Sequence, residues 1–170
     1  TAEQAFGDRR GALVAIEPST GGILALVSTP TFDPNLFVDG IRTEDWDQLN
    51  TSPDRPMVNR ALNGAYPPGS TFKPFMALAA LELGKRTPGQ SIFDPGFFVF
   101  GGHTFRDDKK GGHGHVDMYH SIVHSCDTYY YMLANDMGID NIARFMGQLG
   151  LGSRTGVDIE GESEGVLPSQ

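Results

Sequence analysis

The residues with the clearest chemical potential lie in "AYPPGSTFKPFMALAAL", residues 65–81, where Ser70 and Lys73 stand three apart at the start of an apolar, alanine-rich run. Residues at that spacing on a helix share a face. A serine hydroxyl is a weak nucleophile at neutral pH and needs a base beside it. A lysine serves as that base when burial or neighbouring cations favour its neutral form. A helix N-terminus adds partial positive charge that favours a developing alkoxide, and its free backbone N–H groups can form half of an oxyanion hole. Ser-x-x-Lys alone is a weak signal, because a capping serine beside an unrelated surface lysine gives the same pattern.

A second group of reactive side chains sits further on. The stretch "FDPGFFVFGGHTFRDDKKGGHGHVD", residues 93–117, is dense in Asp and His, and the chain's single cysteine, Cys126, follows it. Asp94, Asp107, His113 and Cys126 form a borderline ligand set suited to tetrahedral zinc, and four protein ligands would make the site closed and structural. Asp108, His115 and His103 are substitutes within the same loop. The plainer alternative is a solvated turn region and a small buried cysteine. Zinc there would pin the loop to the helix junction at Cys126 and hold its sulfur as thiolate.

These groups need elements to position them. Pro74 is tolerated only in a first turn, so the helix carrying Lys73 is expected to begin near Ser70 or Thr71 and to run to Leu83, closed by Gly84. Asp117 should cap a short helix, Met118 to His124. A second helix runs from about Cys126 to Met137 and stops at Gly138, and a third, capped by Asp140, runs to about Leu149. Upstream, Leu13–Ile16 and Ile23–Val27 flank "EPSTGG" and predict a β-hairpin, apolar enough to be covered on both faces. A short helix is expected around Thr43–Leu49, with Thr43 as its cap. Residues 94–116 read as an irregular loop, and 150–170 as loop with at most one short strand. Tyr129, Tyr130 and Tyr131 point different ways from one helix, so one or two can face a cleft. Core positions are expected for Phe97, Phe98, Phe100 and Trp46.

Composition narrows the class. With 170 residues, 39% hydrophobic, 20% charged, the chain can bury one core. A formal charge of −8 with no basic run argues against nucleic acid or an anionic membrane surface as partner. One cysteine excludes an internal disulfide, and no apolar run approaches the ~20 residues that span a bilayer.

The context of the serine carries a resemblance. "YPPGSTFKP" resembles the active-serine motif of penicillin-binding proteins and serine β-lactamases, and "HSCDTYYYMLANDMG" supplies Ser125-Cys126-Asp127 where that family has its second motif, Ser-x-Asn or Ser-x-Asp. "VSTPTFDPNLFVDGI", "FDPG", "GHGHVD" and "TGVDIEG…LP" extend it over nearly the whole chain and resemble the penicillin-binding protein 2 family of class B transpeptidases of Gram-negative elongation. The resemblance implies an α/β (α+β) transpeptidase fold, here incomplete: an N-terminal hairpin and the mostly helical subdomain. It implies Ser70 as nucleophile toward a donor stem peptide or a β-lactam, Lys73 as general base, and Ser125 as proton relay to the leaving amine that also orients Lys73. Asp127 would contact Lys73 and substrate backbone, and a carboxylate there favours the protonated lysine more than an amide would. Some family members carry zinc at positions matching Asp94, Asp107, His113 and Cys126. The implied protein is a D,D-transpeptidase anchored at the periplasmic face of the inner membrane, with elongation-machinery partners that include a glycosyltransferase.

The family's third motif, Lys-Thr-Gly, has no counterpart. Arg154-Thr155-Gly156 lies in a glycine-rich stretch with no strand pattern and follows Ser125 too closely. Residues 1–170 are therefore expected to be the front half of a transpeptidase domain, unable to turn over peptidoglycan alone. The competing readings are a serine β-lactamase, for which no deacylating carboxylate motif is present, and a non-catalytic penicillin-binding sensor or scaffold.

Overall fold

The computed structural model describes residues 1–169, which divide into two compact units. The first comprises 1–66 with 156–163, and the second 67–155 with 164–169.

In the first unit, helix α1 (Ala2–Phe6) precedes an antiparallel hairpin of β1 (Gly11–Ile16) and β2 (Ile23–Thr29), with Gly11 opposite Thr29. The Glu17 amide donates to the Gly22 carbonyl at 2.8 Å, and Gly21 takes the turn's positive φ of 74°. The hairpin falls where the sequence predicts it, but among the described residues it is not covered on both faces. Leu24 is 72% exposed and Ile16 55%, since the helices that contact this sheet are the short α1 and α3 (Arg60–Asn63). The Ser28 hydroxyl seats α3 by accepting from the Arg60 amide at 2.9 Å. Helix α2 (Thr43–Thr51) begins with Thr43 as its first residue rather than its cap, because Arg42 occupies the cap and its guanidinium clamps Asp45 at 2.7 and 3.0 Å. Trp46 is half-exposed, edge-on to Phe37.

The second unit holds the main core. A 3-10 turn, Gly69–Phe72, leads into α4 (Lys73–Glu82), and Gly84 closes it with φ of 62°. The α-helix thus starts at Lys73, not at Ser70. Pro74 in its first turn has no N–H to give, so Ser70 falls in the tighter turn ahead of it. After α4 come β3 (Ile92–Asp94), β4 (Phe97–Phe100), β5 (His103–Arg106) and β6 (Gly114–Val116), then α5 (Met118–Val123), α6 (Asp127–Met137) and α7 (Ile139–Gln148). Met76, Ala79 and Ala80 of α4 pack with Tyr129, Leu133 and Met137 of α6 and with Ile142 and Met146 of α7. Asp117 caps α5 by accepting from the His120 amide. Gly138, at φ 76°, ends α6 and occupies the cap of α7, so Asp140 stands in the first turn of α7 instead of at its cap.

The expectation of an irregular loop over 94–116 is overturned. Strands β4 and β5 form a hairpin across Gly101-Gly102, both at positive φ, and β3 pairs with β6 to bracket it, with Asp94 opposite Gly114. "FFVFGGHTF" carries a legible signal for this: two β-prone runs separated by Gly-Gly. The periodicity is hidden because both faces of β4 are apolar. The core placement of its phenylalanines fails too: Phe97 and Phe100 are 44% and 59% exposed. Phe98 and Phe100 instead line an open apolar pocket of about 500 Å³ with Phe105 and Tyr131. Residues 149–169 contain no helix or strand, and Arg154-Thr155-Gly156 lies in that segment.

Candidate active site and metal-ligand cluster

The 3-10 turn presents Ser70, and α4 carries Lys73 one turn on, buried to 8% exposure. Residues more than fifty positions away meet them at the junction of α5 and α6. The Ser125 hydroxyl lies 2.8 Å from the Ser70 hydroxyl. The Lys73 ammonium donates to the Ser125 hydroxyl at 2.9 Å, to Asp127 Oδ1 at 2.6 Å and to the Ser125 carbonyl. All three lysine N–H donors are thus directed at the second motif, and Ser125 stands between Lys73 and Ser70. Once the ammonium has given up a proton, the neutral amine can take the Ser70 proton through that hydroxyl.

Ser125 adopts φ of 52°, in the left-handed region that non-glycine residues rarely occupy. Its neighbours hold it there. The Ser125 amide donates to Ile122 O at 3.1 Å and the Cys126 amide to Ser121 O at 2.9 Å. The twist turns Ser125 and Asp127 toward the cleft while Cys126, fully buried, faces the other way. The cleft, of about 430 Å³, is lined by Ser70, Lys73, Asp127, Tyr130, Tyr131 and Leu167. Tyr129 lies in the core.

On the far side of the junction, Asp94, Asp107, His113 and Cys126 each offer a ligand atom, all within 4.8 Å of one another. Asp94 comes from the end of β3, Asp107 from just after β5, His113 from just before β6, and Cys126 from the cap of α6. Asp108, His115 and His103 are outside this group. Gly112 makes the approach possible: at φ 76°, a Cβ there would stand 2.2 Å from the Asp94 carbonyl oxygen.

Backbone donors converge on the two carboxylates. Gly96 and His113 amides donate to Asp94 at 2.7 and 2.8 Å, and the Thr128 amide donates to Asp107 at 2.8 Å. Burial pushes both carboxyls up. The hydrogen bonds outweigh it, from the Gly96 and His113 amides and the His113 ring on Asp94, and from the Thr128 and Lys109 amides and the Cys126 thiol on Asp107, so both are held below the ordinary range. The Cys126 thiol is pushed up to about 12, by burial and then by the charges of Asp107 and Asp94. Its sulfur lies 3.4 Å from Asp94 and 3.5 Å from Asp107 and accepts from the Tyr129 amide at 3.4 Å. Among the described residues no lysine or arginine pairs with either carboxylate. His113 Nδ1 lies 2.9 Å from Asp94 and 3.5 Å from Asp107.

A serine–lysine–serine chain on helix starts beside an α/β core is the layout of a serine acyl-transfer protein. The comparisons narrow that class: residues 11–170 match the penicillin binding protein transpeptidase domain, and the chain belongs to this family. It is 53% identical over 170 residues to the peptidoglycan D,D-transpeptidase MrdA of Acinetobacter baumannii, covering 99% of this chain and 25% of that protein. It therefore spans about a quarter of the length of the curated relatives it matches. Among solved structures, Pseudomonas aeruginosa PBP2 in complex with WCK 5153 superposes with a TM-score of 0.92 at 48% identity, over 99% of this chain and 39% of that one. PBP2 of Helicobacter pylori, solved in complex with MreC, gives 0.91 at 35% identity, over 98% and 31%. A peptidoglycan synthase complex coordinating polymerization and crosslinking gives 0.80 at 38%, over 95% and 28%.

Proposed function

We propose that this chain is the nucleophile-bearing part of a peptidoglycan D,D-transpeptidase that cross-links stem peptides and is acylated by β-lactams. The observation that carries the reading is the chain Lys73–Ser125–Ser70, with Asp127 on the lysine. Ser70 Oγ attacks the carbonyl carbon of the penultimate D-alanine, and its proton passes through Ser125 to neutral Lys73. The C–N bond then breaks, and Lys73 returns the proton through Ser125 to the departing D-alanine amine. An amine of a second stem peptide attacks the resulting ester, gives up a proton by the same route and releases Ser70. In a β-lactam the amide that opens is part of the ring, so the leaving amine stays attached.

The whole protein would act in cell elongation and rod shape from the periplasmic face of the inner membrane, beside membrane partners that include a glycosyltransferase. The solved complexes of its relatives with MreC and in a peptidoglycan synthase assembly support such partners. Among the described residues no helix is long and apolar enough to cross a membrane. The third motif and the strand that bears it would come from outside residues 1–170, so this chain alone should not turn over peptidoglycan.

Asp94, Asp107, His113 and Cys126 would hold a structural zinc. The donor set fits: two buried carboxylates kept ionised beside a thiol, with no lysine or arginine on them among the described residues, would be balanced by a divalent cation, which would also draw the proton from Cys126. The metal would tie β3, β5 and β6 to the cap of α6, the junction that presents Ser125 and Asp127.

Incubation of the whole protein with a fluorescent penicillin tests the acyl-transfer reading. One label per molecule, mapped to Ser70 and released slowly, is expected. Fast nitrocefin turnover would favour a β-lactamase, and acylation without cross-linking beside its membrane partners would favour a sensor. Robust stoichiometric labelling of the isolated 170-residue chain would overturn the expectation that it is incomplete.

A further inference from the structure

The Lys73 tip has a fourth neighbour that the acyl-transfer chemistry does not use. The Tyr130 ring faces its ammonium, with Nζ 5.7 Å from the ring centroid, and both residues are nearly buried, at 8% and 6% exposure. Lys73 directs its three N–H groups at the Ser125 carbonyl, the Ser125 hydroxyl and Asp127. The ring covers a side that no hydrogen bond serves. Desolvated cation–π pairs are the strong ones.

The hydroxyl of Tyr130 is occupied elsewhere. Ser121 lies fully buried in α5, its Oγ 2.7 Å from the Met118 carbonyl and 3.1 Å from the Tyr130 hydroxyl. Ser121 has one hydroxyl proton, and the shorter contact to Met118 takes it, so the Tyr130 hydroxyl donates to Ser121. Burial raises the pKa of that phenol, which keeps the donor protonated. The phenol end is thereby fixed to α5, and the ring face is what the lysine meets.

We propose that Tyr130 is a positioning residue for Lys73: its ring face, not its hydroxyl, holds the ammonium against Ser125 so that the route to Ser70 stays aligned. This rests on the transpeptidase reading for its catalytic consequence, though not for the docking itself. The test places phenylalanine, 4-fluoro-, 3,5-difluoro- and 3,4,5-trifluorophenylalanine at position 130 of the whole protein. The series drains charge from the ring face with little change of shape. Two quantities are read: the acylation step and the pre-acylation binding constant for a fluorescent penicillin, and the NMR signal of the 13C-labelled Lys73 ε-methylene, which the ring shifts upfield when the tip is docked.

Phenylalanine is the reference of the series, and its acylation step and Lys73 signal set the values against which the fluorinated variants are read. Read on the alkaline plateau of the pH profile, where Lys73 enters the step neutral and becomes the ammonium that the ring stabilises, successive fluorines should lower the acylation step by a total on the order of tenfold, leave the binding constant unchanged, and, at lower pH, move the Lys73 ammonium signal toward that of a free lysine. A flat acylation step, or a Lys73 signal indifferent to fluorination, would overturn the proposal. A wild-type protein that is never acylated, with a Lys73 that is docked and responds to fluorination across the series, would sink the transpeptidase reading and leave the docking role standing. Loss of acylation in the phenylalanine variant would shift the role to the hydroxyl and also count against the proposal.

Discussion

Residues 125–127 divide between two constellations that handle charge in opposite ways. Ser125 and Asp127 face a cleft where one buried ammonium is met by a carboxylate, a carbonyl and a hydroxyl, so its charge is balanced by protein groups alone. Cys126 faces a packed cluster where two buried carboxylates gather backbone N–H donors and, among the described residues, no lysine or arginine. The cleft is self-sufficient in charge and partly open, as a site that must exchange protons and substrate requires. The cluster is closed and gathers negative charge, as the proposed zinc site requires. Both hang on one strained residue, since the left-handed φ of Ser125 sends alternate side chains to opposite sides.

The sharpest break between the two is Ser70→Ala. It should abolish penicillin labelling of the whole protein while leaving metal content by elemental analysis and the melting temperature nearly unchanged. Loss of metal in that variant would mean that the two constellations are not separable.

Next in size is Cys126→Ser, which attacks the other side. It should lose stoichiometric zinc. Where zinc saturates the wild type at about a thousandfold over its dissociation constant, the loss should cost on the order of 4 kcal/mol, seen as a lower denaturation midpoint that chelator reproduces in the wild type and not in the variant. Acylation should fall as well, through the junction that holds Ser125. Equal zinc in variant and wild type would remove the thiolate from the ligand set.

A smaller effect concerns acid. Asp94 and Asp107 are held below the ordinary carboxyl range in the fold, so they contribute stability that is complete above that range and is lost as pH falls through it toward their lower folded values. Metal-free protein should therefore lose on the order of 1–2 kcal/mol below about pH 5, and Asp107→Asn should flatten that dependence in urea titrations. Zinc binding at neutral pH should also release about one proton, from the raised Cys126 thiol. Calorimetry in buffers of different ionisation enthalpy reads it.

Smallest is Asp127→Asn. Asp127 is about one-third exposed, so its ion pair with Lys73 is partly screened by water. An amide can still accept from the lysine, and the stability change should stay under about 1 kcal/mol, with acylation within roughly tenfold of wild type. A complete loss of labelling would show that the carboxylate charge itself is needed.

Much of this was legible in the sequence where the physics is local. Pro74 limited where α4 could begin, Asp117 marked the start of α5, and Gly84 and Gly138 marked the ends of α4 and α6. The same local reasoning erred by a few residues at Ser70, Thr43 and Asp140. A tighter turn, a neighbouring arginine and a positive-φ glycine took the expected roles there. It failed over 94–116, where the run of phenylalanines on both faces of β4 hides the alternation that marks a strand, and the β3–β6 pair that closes the segment joins residues far apart in the chain. Tyr130 could be named as a cleft candidate from its helix, but its ring over Lys73 depends on how α4 packs against α6.

By itself the amino-acid sequence determined the residue types and short spacings: Ser70 three before Lys73, Ser125 two before Asp127, and four Asp, His and Cys side chains after Lys73 of types that can ligate a metal. The resemblance to the family rests on the two serine motifs together with the segments around them, because each motif is too short to be specific alone. Only the tertiary structure decided that Ser125 comes between Lys73 and Ser70, that Cys126 turns away from its neighbours, and that Asp94, Asp107 and His113 converge on it. Those facts depend on contacts between residues 19 to 55 positions apart. Packing of α4 on α6 and pairing of β3 with β6 set them, and no local propensity encodes either.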